Sequence, residues 1–480
     1  MQGSASEAQS MDSDANRDSF QLMFLENLDG RSYSTSTTFL DIPVKKNSSA
    51  VKNQATAEGR TMFSNYLMAR ISSERTIEGS TYVDFRKSLL PLMEKTNIDT
   101  DELNQFFALA QPPSESQWYQ LNQLRIHAGA PERSEEGVEK LYQYFAQLVS
   151  MEKKFPFDTL SVEVSFVWKD ALFPSKKVST NCIQYEKAAV MFNVGAVFSQ
   201  LGAVQPFKTA EGKKKAALYY RKASTAFLFC RDSVCPRIRV KIGKSDSDIS
   251  EKVLSALSEI MLGQAVECFY EKANEGFPYS TFYILVNTSS SVTSQIAIKA
   301  ADHYASAFQF SEEQLPKRWL NLIKAKGSLF KAIAHFHAPS VMPVDRTVAE
   351  RVARLSLAKS FAIEACKDSQ HEKTLHSVSK RYHDLIQNNL SVTQDENFER
   401  HHQIEIDFRK LAPLKYPGQD LLPAYGDTLP IEDSSRFSDI FRSIISPADR
   451  EEMSLFIHDL EKTLESQNKD LTDLSRQCDE

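Results

Sequence analysis

The sequence predicts a mainly α-helical protein, a solenoid of stacked helical hairpins with a tetratricopeptide-like core and one small β-sheet. Glycine is scarce, at 15 of 480 residues or about 3%, against a usual share of about 7%, so positive-φ turns and phosphate-cradling loops are few. Apolar residues recur at helical spacing over most of the chain. Alanines stand beside aromatic residues, as in 216–229 and 299–310, which lets helices approach closely while the rings fill the gaps. No clean 34-residue repeat is present, so any repeat is degenerate.

The N-terminal part of the chain begins with a polar extension, residues 1–36, which we predict to be disordered apart from a short helix near 20–28. A short strand is expected near Phe39. Further on, apolar and other residues alternate up to Trp168, and this period of two predicts a second strand. We expect the two strands to pair in one sheet. Helices are predicted at 84–109, 117–128 and 134–152.

The middle of the chain is predicted to be almost entirely helical. After it, residues 391–445 have little periodicity and four prolines, which indicates an extended segment that runs back along the helices. The predicted helices span 184–202, 211–230, 249–273, 291–309, 315–337, 345–368 and 371–389.

A last helix is predicted at 446–478. Ser446 suits the N-cap, Pro447 suits the first helical position, and acidic residues occupy the opening turns. Apolar residues then alternate at spacings of four and three, which is typical of a coiled-coil seam. This seam either docks on the protein's own body, binds a partner helix or self-associates. Its positions are Met453, Ile457, Leu460, Leu464, Gln467, Leu471, Leu474 and Cys478.

Composition excludes several classes of protein. The net charge of −6 gives no overall attraction to nucleic acid. The first 25 residues lack the basic and apolar regions of a signal peptide, and no apolar run approaches the roughly 18 residues that would span a bilayer. Six cysteines without a Cys-x-x-Cys pair indicate reduced thiols. We therefore expect a cytoplasmic protein whose membrane contact is peripheral.

Catalytic motifs do not emerge from the sequence. The segment Gly243–Ser245 has Ile238 where a phosphate-binding loop requires its first glycine. His371 and His376 are five residues apart and do not share a helix face for zinc. We therefore expect a binding protein and not an enzyme, with no cofactor and no metal.

Five segments form an ordered set of motifs. They read FLDIPVKKN, LYQYFAQLVSMEKKFPFDTLSVEVSFVWKDALF, YEKAAVMFNVGAVFSQLGA, SEIMLGQAVECFYEKA and DIFRSIIS. This set resembles the Bro domain, the folded module of ALIX-like endosomal adaptors and rhophilins, over residues 37–445. The resemblance implies a curved solenoid that docks the C-terminal amphipathic helix of an ESCRT-III subunit in a concave apolar groove. It also implies recruitment to endosomes and a role in multivesicular body sorting or related membrane remodelling.

The resemblance assigns the groove to four residues. The family's groove phenylalanine matches Phe269, and its two aliphatic residues match Val292 and Ile296, whose four-residue spacing places them on one helix face. A family lysine matches Lys214, which would pair with acidic residues of the bound helix. Ordinary core packing of the three apolar residues is the alternative interpretation. The chain departs from the family by an insertion at 274–291, between the two sides of the groove.

A basic stretch follows the third long motif. Between residues 207 and 244, eleven basic and two acidic residues give a local balance of +9. An anionic endosomal membrane would attract such charges by about 1 kcal/mol each. The alternative is a solvated helix face followed by a flexible basic loop. The candidate membrane-facing residues are Lys208, Lys213, Lys215, Arg221, Lys222, Arg237, Arg239 and Lys241.

The resemblance permits a second function. A signalling scaffold of the rhophilin or ambient-pH-response type uses the same fold for other protein partners. The short chain and the insertion favour this alternative, and the sequence leaves both functions open.

Overall fold

The computed structural model describes residues 114–155, 157, 166–173, 175–207, 209–238, 247–274, 288–311, 314–338, 348–414, 436–442 and 447–479. This part of the chain is mainly helical, as predicted, with one two-stranded sheet. The predicted extension 1–36, the strand near Phe39 and the helix at 84–109 lie outside the described residues. The elements are α1 Glu115–Gly129, α2 Glu135–Lys154, β1 Phe166–Lys169, β2 Lys177–Thr180, α3 Ile183–Ala203, α4 Ala210–Phe229, α5 Glu251–Asn274, α6 Thr288–Ser311, α7 Lys317–His337, α8 Val348–Asp368, α9 Lys373–Glu396 and α10 Pro447–Asp479.

Side-chain caps set the starts of several helices. At α1 the Ser114 hydroxyl accepts a hydrogen bond from Gln117 N at 3.3 Å, and Gln117 Oε1 accepts one from Ser114 N at 2.8 Å. This reciprocal pair satisfies two backbone donors that the helix leaves free. Ser134 caps α2 and Thr209 caps α4 in the simpler one-sided form.

The sheet is an antiparallel pair of four-residue strands. Phe166 lies opposite Thr180, and Trp168 lies opposite Val178. Both aromatic side chains are buried in the core, which agrees with the alternation that predicts β1. Strand β2 is a partner that the sequence analysis did not identify, and the predicted partner near Phe39 lies outside the described residues.

Each helix from α1 to α9 packs on the next, which is the arrangement of a solenoid. Glycines allow the close approach of α3 and α4. A Cβ atom at Gly195 would lie 2.7 Å from ring atoms of Phe227, and one at Gly202 would lie 2.7 Å from the ring of Tyr220. The predicted packing of small residues against rings is therefore present at this contact.

A buried carboxylate joins the first helices to the sheet. Glu186 accepts hydrogen bonds from the Tyr144 hydroxyl at 2.8 Å and from Trp168 Nε1, and its Oε1 lies 3.2 Å from Arg125 Nε. The carboxylate of Glu186 on α3 thus contacts side chains from α1, α2 and β1. These contacts compensate its negative charge, which is removed from water.

The segment 436–442 returns to the beginning of the described fold. Phe441 is buried, and its ring meets those of Trp118 and Phe155 edge-on at 5.4 and 5.5 Å. Gln147 Nε2 donates to Ser438 O at 2.8 Å. The expected extended segment therefore does run back along the helices here. The prediction was wrong at 391–396, which belong to α9.

Candidate partner-binding groove

Helix α5 exposes one narrow stripe. From Val253 to Tyr270 its residues are buried except for Glu259, Leu262 and Phe269, which are half-buried. Spacings of three and seven residues place these three on one face of the helix. The stripe therefore has two apolar members and an acidic end. Leu262 is a groove candidate that the sequence analysis missed, although its seven-residue spacing from Phe269 was a usable signal.

Helix α6 contributes only one of its two predicted groove residues to the surface. Val292 is half-buried and, like Phe269, packs against the core from the outside. Ile296 is 1% exposed. The reason is its position in the row of Ile296, Ala300 and Tyr304, all buried, at the four-residue spacing of one helix face. Of the three predicted apolar groove residues, only Phe269 and Val292 therefore reach the surface, and Ile296 lies in the core.

The two neighbouring lysines of α4 have opposite environments. Lys214 is exposed, as a residue that pairs with a partner should be, whereas Lys213 is 5% exposed. Burial raises the pKa of the Cys268 thiol well above its usual range, and the charge of Lys213 opposes this effect. Lys213 is therefore on the side of α4 that is near α5. Its row continues through the buried residues Ala217 and Tyr220. The assignment of Lys213 to a membrane-facing patch is therefore wrong.

The other candidate membrane-facing residues are described in part. Lys215 and Arg237 are exposed, while Arg221 and Lys222 are half-buried. Lys222 Nζ lies 5.4 Å from the centre of the Phe198 ring, so its charge is partly held against α3. Three candidates lie outside the described residues, namely Lys208, Arg239 and Lys241.

Polar and charged side chains surround the acidic end of the stripe. His303 Nδ1 of α6 lies 2.8 Å from Glu259 Oε2. Arg231, at the end of α4, has its pKa raised mainly by a hydrogen bond to Asp232, with a smaller contribution from the charge of Glu259. This end of the stripe therefore carries charges of both signs and suits polar residues of a ligand.

A buried ion pair links α5, which carries part of the candidate groove, to α7. Lys326 Nζ of α7 lies 2.8 and 2.9 Å from the two carboxylate oxygens of Glu267 on α5, and the hydroxyl of Tyr304 on α6 donates to the same carboxylate. Burial raises the pKa of Glu267 and lowers the pKa of Lys326, and their pairing opposes both shifts. The pair fixes the relative positions of three adjacent helices, two of which carry the groove.

A cleft of about 600 Å³ lies at the start of the described fold, bounded by α1, α2 and the returning segment. Among its lining residues, His127 Nε2 lies 3.1 Å from Gly137 O, and Arg436 pairs with Glu139 at 2.8 Å. These side chains therefore hold the local structure together.

Within the described ranges, no helix is both long and apolar enough to cross a membrane. The same part of the chain has no group of three or more His, Cys, Asp or Glu residues placed to hold a metal ion.

Helix α10 presents its predicted seam to solvent. Leu460, Leu464, Leu471 and Leu474 are all exposed, so these side chains do not dock on the body of the protein. Binding of a partner helix and self-association both stay predictions.

The motifs and the fold are features of one family. The profile of the BRO1-like domain matches residues 93–462. The chain belongs to this family, which confirms the resemblance found in the sequence. The matched stretch starts later than the predicted domain, 37–445, and ends within α10.

Curated relatives of the chain are longer proteins. It is 28% identical to mouse programmed cell death 6-interacting protein over 390 residues, which are 79% of this chain and 42% of that protein. It is 28% identical to ALG-2 interacting protein X of Dictyostelium discoideum over 80% of this chain and 45% of that protein. The chain is 26% identical to human tyrosine-protein phosphatase non-receptor type 23 over 75% of this chain and 21% of that protein. The chain thus spans less than half the length of these relatives.

Solved structures share the fold. An ALIX BRO1–CHMP4C complex is similar with a TM-score of 0.61 at 25% identity, covering 85% of this chain and 99% of that one. ALIX in complex with a viral late-domain peptide is similar with a TM-score of 0.66 at 24% identity, covering 92% of this chain and 56% of that one. Together they confirm the predicted fold class.

Proposed function

We propose that this chain is a non-catalytic adaptor that docks the C-terminal amphipathic helix of an ESCRT-III subunit along α5. In this proposal Phe269 and Val292 are the apolar anchors, Leu262 extends the contact, and Lys214 pairs with acidic residues of the bound helix. The adaptor acts at endosomes, in multivesicular body sorting or related membrane remodelling.

The observation that carries the proposal is the half-buried stripe of α5. Docking of a helix requires apolar anchors at helical spacing in a shallow groove, and Leu262 and Phe269 provide them two turns apart. Two further observations support it. The chain belongs to the BRO1-like domain family, and it is similar to an ALIX BRO1 domain in complex with CHMP4C, an ESCRT-III subunit.

The burial of Ile296 determines which substitutions test the groove. Ile296→Asp would place a charge in the core and unfold the protein, so loss of binding by that variant would be ambiguous. Phe269→Asp and Val292→Asp change half-buried positions instead. We expect each variant to weaken binding of a fluorescent ESCRT-III tail peptide at least about tenfold, since a charge replaces an anchor worth about 1.5–3 kcal/mol when buried.

Matched controls separate groove effects from general ones. Val392→Asp changes an exposed valine on α9 and should bind the peptide like the wild type. Lys214→Glu should weaken binding more at low than at high salt, because salt screens surface charges, whereas Lys380→Glu on α9 should have no effect. Equal binding by Phe269→Asp and Val392→Asp would refute the groove. A wild-type protein that ignores the peptide but binds a GTPase or a receptor tail would favour the signalling scaffold.

The second part of the proposal is peripheral contact with an anionic membrane through the exposed basic residues of α4 and the turn after it. Lys215 and Arg237 are exposed and would each add about 1 kcal/mol near such a surface. Sedimentation with phosphatidylcholine vesicles, with and without phosphatidylserine, tests this. Lys215→Glu together with Arg237→Glu should abolish the phosphatidylserine-dependent fraction, and an unchanged fraction would refute the assignment.

A further inference from the structure

Two cysteines meet at the end of α4. Cys230 begins a five-residue π-helical turn, Cys230–Val234, and Cys235 follows it directly. Their Sγ atoms lie 3.7 Å apart, and both thiols are reduced in this structure. Neither the fold nor the proposed adaptor function requires two thiols in contact.

The backbone holds the two cysteines at a separation that a disulfide can bridge. Cys235 N donates to Cys230 O, an i+5 hydrogen bond that places one residue about one helical turn, roughly 5.4 Å, beyond the other. Disulfides span Cα separations of about 4.4–6.8 Å with sulfurs about 2.05 Å apart. Rotation about the Cα–Cβ bonds can therefore bring the sulfurs together without a change of fold.

The two thiols differ in accessibility, as the two steps of an exchange reaction require. Cys235 is half-buried, and Cys230 is fully buried. Thiol–disulfide exchange begins with attack of an accessible thiolate on an external disulfide, and a nearby second thiol then resolves the mixed disulfide. Cys235 is placed for the first step and Cys230 for the second.

We propose that Cys230 and Cys235 form a dithiol that is oxidised reversibly by glutathione disulfide. The Cys235 thiolate attacks one sulfur of glutathione disulfide, forms a mixed disulfide and releases one glutathione thiolate. The Cys230 thiolate then attacks the Cys235 sulfur, forms the Cys230–Cys235 disulfide and releases the second glutathione. The protein loses two protons and two electrons, and one glutathione disulfide becomes two glutathione molecules.

Oxidation changes contacts with the neighbouring helices. In the reduced protein the Cys230 thiol donates to Ala188 O of α3, and the Cys235 thiol donates to Ile249 O just before α5, both at 3.5 Å. Both hydrogens leave on oxidation, so both contacts are lost. Formation of the disulfide therefore removes two hydrogen bonds that hold the turn after α4 against its neighbours.

Peptide mapping tests the proposal on the native protein. The protein is incubated with glutathione disulfide, free thiols are alkylated, and trypsin is added. Cleavage after Lys222, Arg231 and Arg237 places the two cysteines on separate peptides, 223–231 and 232–237. We expect these peptides to be joined, at a mass two hydrogens below their sum, and to separate after treatment with dithiothreitol.

Variants define the order of the steps. Cys230→Ser should stop the reaction at Cys235 bearing glutathione, and Cys235→Ser should leave Cys230 alkylated only after denaturation. Cys366→Ser is the matched control, because Cys366 is also half-buried and no second cysteine sulfur contacts it in the described part of the chain. This variant should form the link like the wild type. A wild-type protein that carries glutathione on Cys235 without the link, or that shows no modification of either peptide, would overturn the proposal.

Discussion

Replacing Lys326 by methionine removes the counter-charge of a carboxylate inside the solenoid. The side chains of Lys326 and Glu267 are 1% and 0% exposed, so water cannot solvate Glu267 in place of the lysine. Breaking such a pair costs about 3–5 kcal/mol. The variant can avoid this penalty if Glu267 is protonated. The free energy needed to protonate a carboxyl with an ordinary pKa near 4.3 is about 4.4 kcal/mol at pH 7.5 and about 1.6 kcal/mol at pH 5.5.

The loss of stability should therefore depend on pH. Without Lys326, burial raises the pKa of Glu267 in the folded protein, with the hydrogen bond from Tyr304 still opposing it. The folded state then holds a proton that the unfolded state releases near pH 4.3. The variant's deficit is then small near pH 5 and grows as the pH rises. Urea unfolding followed by circular dichroism should show a deficit of about 4 kcal/mol at pH 7.5 and about 2 kcal/mol at pH 5.5.

Two variants calibrate the measurement. Lys324→Met removes an exposed lysine of the same helix, whose ammonium lies 4.3 Å from the centre of the Phe308 ring, and should cost no more than about 1 kcal/mol. Glu267→Gln combined with Lys326→Met removes both charges and should abolish the added pH dependence. A deficit for Lys326→Met below about 1 kcal/mol, or one equal at both pH values, would refute the reasoning.

Four further substitutions follow from packing and titration, each measured by urea unfolding. Gly195→Ala places a methyl group 2.7 Å from the Phe227 ring and should lower the free energy of unfolding by about 1–3 kcal/mol. In Gly327→Ala the nearest atom to the added methyl group is at 3.5 Å, so this variant should be neutral or more stable by up to about 1 kcal/mol. The reverse order of stabilities would contradict the close contact between α3 and α4. Phe441→Ala should cost about 3–5 kcal/mol, and a loss below about 1 kcal/mol would mean that the returning segment is not anchored. Burial lowers the pKa of His335 to about 4. Below about pH 6.5 this histidine therefore binds a proton in the unfolded state but stays neutral in the folded state. From this residue alone, stability should fall by about 2 kcal/mol between pH 7.5 and 5. His335→Phe should remove that part of the slope, and an unchanged slope would refute the assignment.

Long helices with a sustained run of apolar and small residues were predictable from the sequence, and the short strand β2 was not. Helix α3 spans Ile183–Ala203, one residue beyond the prediction at each end, because its apolar and small residues continue for five turns. Strand β2, Lys177–Thr180, has only four residues, too few for an alternation to stand out. Its residues form a strand because they pair with β1, and such a pairing cannot be read from the local sequence of β2.

The sequence proposed residues for a candidate groove but could not show how deeply each of them is buried. Helical periodicity shows which residues of α6 share a face, but whether α5 covers that face depends on how closely the two helices pack. Gly263 of α5 helps to set this distance, since a Cβ there would lie 3.0 Å from the ring of Tyr304. Ile296, on the same face as Tyr304, is thereby buried. The burial of Lys213 has the same kind of cause, because a long aliphatic stem can lie between helices.

The return of residues 436–442 to α1 and α2 has a consequence for synthesis on the ribosome. Gln117 Nε2 donates to Ile440 O across 323 positions of sequence, and Lys154 meets Asp439 across 285. At about 5–20 residues per second, the chain emerges for roughly 15–60 s between the completion of α2 and the arrival of its cover. During that interval the neighbouring helices can stack in order, while Trp118 and Phe155 still lack their neighbour Phe441. Within the described fold, the first hairpin is therefore completed only after a long delay.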